Sequence, residues 1–226
     1  VRRLIEKYEM PVLGYTPEHN AYPYNYMIGS EAQRRDAVDY LKLSLEMAKE
    51  MGAEFVLTSP ANGGYLATYD QLWSRLEKNI QELGDYAAKL EIKLVVEALT
   101  PYESNFFTRA NDLVELFRRV DNPYVVGMCD IVPPFVQHES IMAYFDKLGN
   151  KMDHMHIIDG ENGSDTHMIP GEGNIPIKEM LYEMKRIGYD KTATLELVTN
   201  YINEPRFYAK RAIDNMRELM AEAGIV

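Results

Sequence analysis

The chain has 226 residues, 46% of them hydrophobic and 26% charged, which is enough for one large domain with a sizeable core and too apolar for intrinsic disorder. Its formal charge of −11 argues against nucleic acid as a partner, because phosphate binding draws on clustered Lys and Arg. No run approaches the ~20 consecutive apolar residues of a membrane span, and the single cysteine, Cys129, excludes an internal disulfide and fits a reducing cytoplasm.

"RRLIEKYEM" (2–10) reads as the tail of a helix, lacks a signal-peptide cleavage pattern, and leads straight into a first strand, "MPVLGYTP" (10–17). A helix follows over 30–52, with Ser30 as N-cap and Gly52 just past its end. The strand "AEFVLTSP" (53–60) precedes a helix over 68–90, whose Leu72, Leu76, Ile80 and Leu83 form one apolar face. Next come the strand "IKLVVEALT" (92–100), the helix "ANDLVELFRRV" (110–120) and the strand "YVVGMCDI" (124–131). The strand "MDHMHIID" (152–159), the helix "PIKEMLYEMKRIG" (176–188), the strand "TATLELV" (192–198) and a helix over 205–224 complete the chain. The strands are short, rich in Val, Ile or Leu, and closed by Pro, Gly, Thr or Asp, as expected of strands covered on both faces.

This alternation predicts a single α/β domain over 1–226, either a doubly wound sheet or a (β/α)8 TIM barrel. The only Gly-rich candidate for a phosphate cradle, "PGEGNIP" (170–176), lacks GxGxxG and follows a loop, so it reads as a turn. The barrel is favoured by four residues: Glu97, Asp130, His156 and Glu196. Each is a lone metal-competent side chain near the carboxyl end of an otherwise apolar strand. Buried acids are costly unless they are paired or metal-bound. The bland alternative is that they bond to helix N-termini or Arg. Three carboxylates and an imidazole suit one divalent ion such as Mn2+, Co2+ or Mg2+, and nothing calls for an organic cofactor.

His154 and His156 lie two apart on one strand and so face the same way. With His156 at the top, His154 lies about 6–7 Å deeper and reads as an interior group. Cys129 reads as a small buried hydrophobe. Only six strands are legible, so the first two βα units of a barrel are expected to precede residue 1, leaving units 3–8 here.

In this order, Glu97, Asp130, His156 and Glu196 resemble the metal-binding pattern of the xylose isomerase-like barrel superfamily, especially its ketose 3-epimerases and sugar isomerases. "GYTPEHNAYPYN" (14–25), "ALTPYESN" (98–105), "YFDKLG" (144–149), "SDTHMIPGEG" (164–173) and "ELVTNYINEPRFYA" (196–209) are similar to its bacterial fructoselysine 3-epimerase family. The resemblance implies reversible inversion at C3 of fructoselysine, giving psicoselysine. It implies one divalent metal on the four residues, with Glu97 and Glu196 also the acid/base pair. It places Glu103 near the substrate, and a homo-oligomer is expected by analogy.

The chain departs from the epimerases of free ketohexoses at two positions. Pro133 stands where they carry a His, and His167 stands where they carry an Arg. This disfavours free fructose, psicose or tagatose, and leaves Gln137, His138 or His167 to handle substrate oxygens. The acidic loops at 15–18 and 103–105 suit a cationic lysine moiety, with Tyr15, Tyr22, Tyr24 and Tyr26 as an amphipathic wall. Three rival readings stay open. One is another ketose 3-epimerase or an aldose–ketose isomerase, and one is a non-catalytic sugar-binding protein. The third, an AP-site endonuclease, fits poorly with five His and an acidic chain.

Overall fold

The computed structural model describes residues 1–20, 23–161, 163–198 and 201–226, and the chain forms two compact units, residues 1–127 and 128–226. None of the described helices is long and apolar enough to cross a membrane.

The first unit contains α1 (Arg2–Tyr8), β1 (Gly14–Tyr15), α2 (Glu31–Met51), β2 (Phe55–Thr58), α3 (Tyr69–Leu90), β3 (Lys93–Val96), α4 (Ala110–Arg119) and the start of β4 (Val125–Asp130). Its strands lie in chain order and pair in parallel, with Gly14 opposite Phe55, Val56 opposite Leu94 and Val95 opposite Val126. The strand expected over 10–17 shortens to two residues. Pro11 and Pro17 flank it, and proline has no N–H for a ladder.

Two capping boxes set where the long helices begin. The Ser30 hydroxyl accepts from the Gln33 N–H, and the Gln33 side chain accepts from the Ser30 N–H. Thr68 and Gln71 repeat the arrangement at α3. Gly52 ends α2 in the left-handed region, as expected. The predicted α3 face is fully buried at Leu76, Ile80 and Leu83, each contributing about 1.5–3 kcal/mol. At Gly84 a Cβ would lie 2.5 Å from Val125 Cγ2, so glycine lets α3 seat directly on the start of β4.

The second unit holds the end of β4, α5 (Val132–Val136), α6 (Met142–Leu148), a 3-10 turn (Gly149–Lys151), β5 (Met152–Ile157), α7 (Ile177–Ile187), β6 (Thr192–Leu195) and α8 (Pro205–Glu222). The end of β4, β5 and β6 lie side by side in that order, and β5 pairs with β6 in parallel. Residues 132–151, which show no clear pattern in the sequence, carry α5, α6 and the 3-10 turn. There Pro133 and Pro134 occupy the first turn of α5, where the missing N–H groups cost nothing. β6 departs from the expectation of strands covered on both faces, because Ala193 and Thr194 are exposed.

Candidate metal centre

The register of β5 against β6 builds the centre of the second unit. His154 pairs with Thr192 and His156 with Thr194, so side chains two apart on each strand share one face. His154 Nδ1 lies 2.7 Å from Thr192 Oγ1, and its Nε2 lies 3.1 Å from Thr194 Oγ1. One step up the same ladder, His156 Nδ1 lies 3.0 Å from Oε2 of Glu196, the residue just past β6. The two imidazoles stand edge to face, 5.4 Å apart. With both ring nitrogens bonded by threonines, His154 is an interior group, as its depth predicted.

Asp130 closes β4 and faces two ways. Its Oδ1 accepts from the Val132 N–H at 2.7 Å, holding the first turn of α5, and its Oδ2 lies 3.7 Å from His167 Nε2. His167 reaches the group because Asp159, just beyond β5, bridges Met168 through paired backbone bonds of 2.8 and 2.7 Å. His167 Nε2 lies 3.2 Å from Glu196 Oε2, and its Nδ1 lies 3.1 Å from Asp165 Oδ1. Its backbone is left-handed, with φ 42°, a conformation that persists only where the surroundings enforce it.

The loop bearing His167 is organised by one buried carboxylate. Asp159 accepts from the N–H groups of Gly160, Gly171 and Ile175, each at 2.9 Å. At Gly173 a Cβ would lie 2.4 Å from Asp159 Oδ1, so "PGEGNIP" is a turn wrapped on Asp159, in keeping with its reading.

Electrostatics separate the histidines. Burial, with the neighbouring His156, lowers the pKa of His154 to about 4 and keeps it neutral. Burial also works against a charge on His167, yet Asp130, Asp165 and Glu196 outweigh it and raise its pKa to about 12. Burial likewise opposes the Glu196 carboxylate, but His156 and His167 hold its pKa well below the carboxylate range. Ligand atoms of Asp130, His167 and Glu196 lie within 4.8 Å of one another, with His156 against the same Glu196 oxygen. The carboxylate oxygens of Asp130 and Glu196 with the His156 nitrogen suit a divalent ion, whereas a protonated His167 has no free nitrogen to offer one. Asp165 has no signal in the sequence beyond its place two residues before His167.

In the first unit Glu97 follows β3, is buried, and donates its N–H to the Thr58 carbonyl at 3.0 Å. Glu103 is exposed, and its carboxylate accepts from the N–H and hydroxyl of Thr100. Tyr15 ends β1 half-buried, and Tyr24 stacks on Tyr40 of α2 at 4.2 Å. Tyr26 is a core residue and no part of an amphipathic wall: it is 1% exposed, with its hydroxyl donating to the Ser59 carbonyl at 2.7 Å. Tyr22 lies outside the described residues. In the second unit the Gln137 amide turns back onto the Pro133 carbonyl at 3.0 Å, and His138 is exposed with φ 56°.

The profile of the family described as "Xylose isomerase-like TIM barrel" matches residues 1–219. Over 222 residues the chain is 47% identical to the fructoselysine 3-epimerase of Shigella flexneri, covering 98% of this chain and 80% of that protein. Among solved structures it is similar to a D-tagatose 3-epimerase-like protein, with a TM-score of 0.81 and 21% identity over 99% of this chain and 82% of that one. It is also similar to the IOLI protein with a binding zinc atom, with a TM-score of 0.77 and 18% identity over 98% and 80% of the two chains.

Proposed function

Since the chain belongs to the xylose isomerase-like TIM barrel family and is an isomerase-class sugar 3-epimerase, we propose that it interconverts fructoselysine and psicoselysine by inversion at C3. The observation that carries this reading is the meeting of Asp130, His156, His167 and Glu196 in a chain 47% identical to a fructoselysine 3-epimerase. On the family resemblance, Glu97, Asp130, His156 and Glu196 are the proposed metal ligands. A divalent cation held there would supply positive charge that stabilises the anion left when the C3 proton departs.

The rest falls to the protein's own side chains. One glutamate of the Glu97 and Glu196 pair takes the C3 proton from one face. The other returns a proton from the opposite face, which inverts the centre. Between turnovers the first glutamate gives its proton to water and the second takes one up, so the pair resets. His154, held neutral by burial and bonded by two threonines, fixes the strand face on which His156 stands. His167 stands beside Glu196 with its charge sustained by three carboxylates, which suits it to donate to a substrate oxygen. Glu103 is proposed as a further substrate contact on the family resemblance, Tyr15 as part of an aromatic wall, and Gln137 as a replacement for the polar residues that the ketohexose epimerases carry. A homo-oligomer and a cytoplasmic setting belong to the same reading.

The test is an NMR assay of fructoselysine in D2O with Mn2+, Co2+ or Mg2+, the metal being removed before the spectrum is taken. Psicoselysine should appear with deuterium at C3, and only with metal present. Turnover of free ketoses without turnover of fructoselysine would overturn the substrate assignment, and metal-independent turnover would overturn the metal.

A further inference from the structure

In the first unit, α2 and α3 enclose a cleft of about 90 Å³ lined by Glu31, Arg34 and Arg35 of α2 and by Arg75, Lys78 and Asn79 of α3. The whole chain carries 35 acidic residues against 24 Lys and Arg, yet this cleft gathers four cations and one carboxylate. Its volume is far below the ~300–1,000 Å³ of pockets for drug-sized ligands, and it leaves room for one small ion or a few waters.

The counter-charges are unevenly shared. Arg35 is matched by Glu82 at 2.7 Å and Asp39 at 2.9 Å. Lys78 and Glu31 stand 3.8 Å apart and are mostly exposed, a contact of little strength. Arg34 and Arg75 have no carboxylate partner among the described residues. Each instead donates from Nη1 to a backbone carbonyl of one short loop, Arg34 to Gly29 and Arg75, at 2.9 Å, to Met27. Burial and the neighbouring Arg34 both disfavour the charge on Arg75.

That loop is fixed. Met27 is fully buried and its N–H donates to Asn25 Oδ1 at 2.7 Å, while the Asn79 amide, from the wall of the cleft, donates to the Tyr26 carbonyl at 3.0 Å. A guanidinium has five N–H donors in a planar fork, so anchoring to one carbonyl leaves Arg34 and Arg75 donors to spare. Forks positioned before a ligand arrives match phosphate oxygens and spare the cost of ordering them.

We infer that this cleft binds the phosphate group of a small anion, with Arg34 and Arg75 as its two anchoring forks and Lys78 adding charge at the rim. A tetrahedral dianion supplies the counter-charge that the two guanidiniums lack, and it has oxygens enough to accept from both. A carboxylate brings one charge and two oxygens, which one fork already satisfies. None of the lining residues takes part in the proposed epimerisation, so the test needs no turnover.

The experiment follows the Nε–Hε resonances of Arg34 and Arg75 in the whole chain during addition of inorganic phosphate and, separately, glycerol phosphate, with acetate of equal ionic strength as the control. Both resonances should shift and saturate in the millimolar range with at least one phosphate, and the tighter of the two tells free phosphate from a phosphate ester. Arg34→Gln and Arg75→Gln should each weaken binding about tenfold. Lys89→Gln removes an exposed charge elsewhere on α3 and should leave binding within about twofold of wild type. Arg34→Lys keeps the charge without the fork, should weaken binding about threefold or more, and replaces a Gln variant that fails to fold. No shift with either phosphate, equal shifts with acetate, or an equal loss in Lys89→Gln overturns the inference. So does phosphate binding, seen by calorimetry, that leaves both arginine resonances unmoved.

Discussion

Oε2 of Glu196 lies 3.0 Å from Nδ1 of His156 and 3.2 Å from Nε2 of His167, so one carboxylate oxygen is shared by two imidazoles from different segments. Such an oxygen is well placed for a cation and poorly placed to carry a proton for long, because both neighbours favour its ionised form. The proposed acid/base role of Glu196 therefore calls for rapid return of any proton it takes.

That role is checked by Glu97→Gln and Glu196→Gln. Each should abolish net epimerisation, with a loss above the ~10²–10⁴-fold of a general base alone, because metal binding suffers as well. In D2O each variant should keep at most slow C3 exchange with one epimer, and the two should prefer opposite epimers. Normal epimerisation by either variant would reduce that glutamate to a ligand and call for a single-base mechanism.

His154 and His156 should separate cleanly under substitution. His156→Gln removes a ring from the cluster and should weaken metal binding by at least ~10-fold, read by calorimetry with Mn2+. His154→Gln should bind metal within a few-fold of wild type but unfold more easily, by about 1–3 kcal/mol, since it loosens the bonds to Thr192 and Thr194. Equal metal affinities for the two variants would contradict the division of labour along β5.

Acid should weaken the fold through His19. This residue is 3% exposed, with Nε2 3.1 Å from Thr58 Oγ1, and burial lowers its pKa to about 4 from an ordinary 6.5. A lowered histidine pKa means that the unfolded chain takes up the proton first. The contribution is thus complete above pH ~6.5, falls as pH drops toward about 4, and amounts to at most about 3 kcal/mol. Urea unfolding of His19→Gln between pH 7 and 4 should show a shallower loss of stability than wild type. Parallel curves would mean that His19 contributes nothing to the acid limb.

What the sequence determined by itself was whatever depends on short periods and local chemistry. The Ser30 cap, the left-handed Gly52 and the apolar face of α3 follow from residues within a few positions of each other. The six strands were legible because runs of Val, Ile and Leu end at turn residues, and the strand-end positions of Asp130, His156 and Glu196 came with them. The two-residue alternation also placed His154 and His156 on one face. It could not say what bonds His154, because Thr192 and Thr194 stand 38 and 40 residues away. Only the tertiary structure decided that, together with the buried place of Tyr26 and the joining of His167 and Asp165 to the centre. The reason is physical: those contacts depend on strand register and on a loop pinned by the Asp159–Met168 bridge, and neither leaves a periodic trace in the chain.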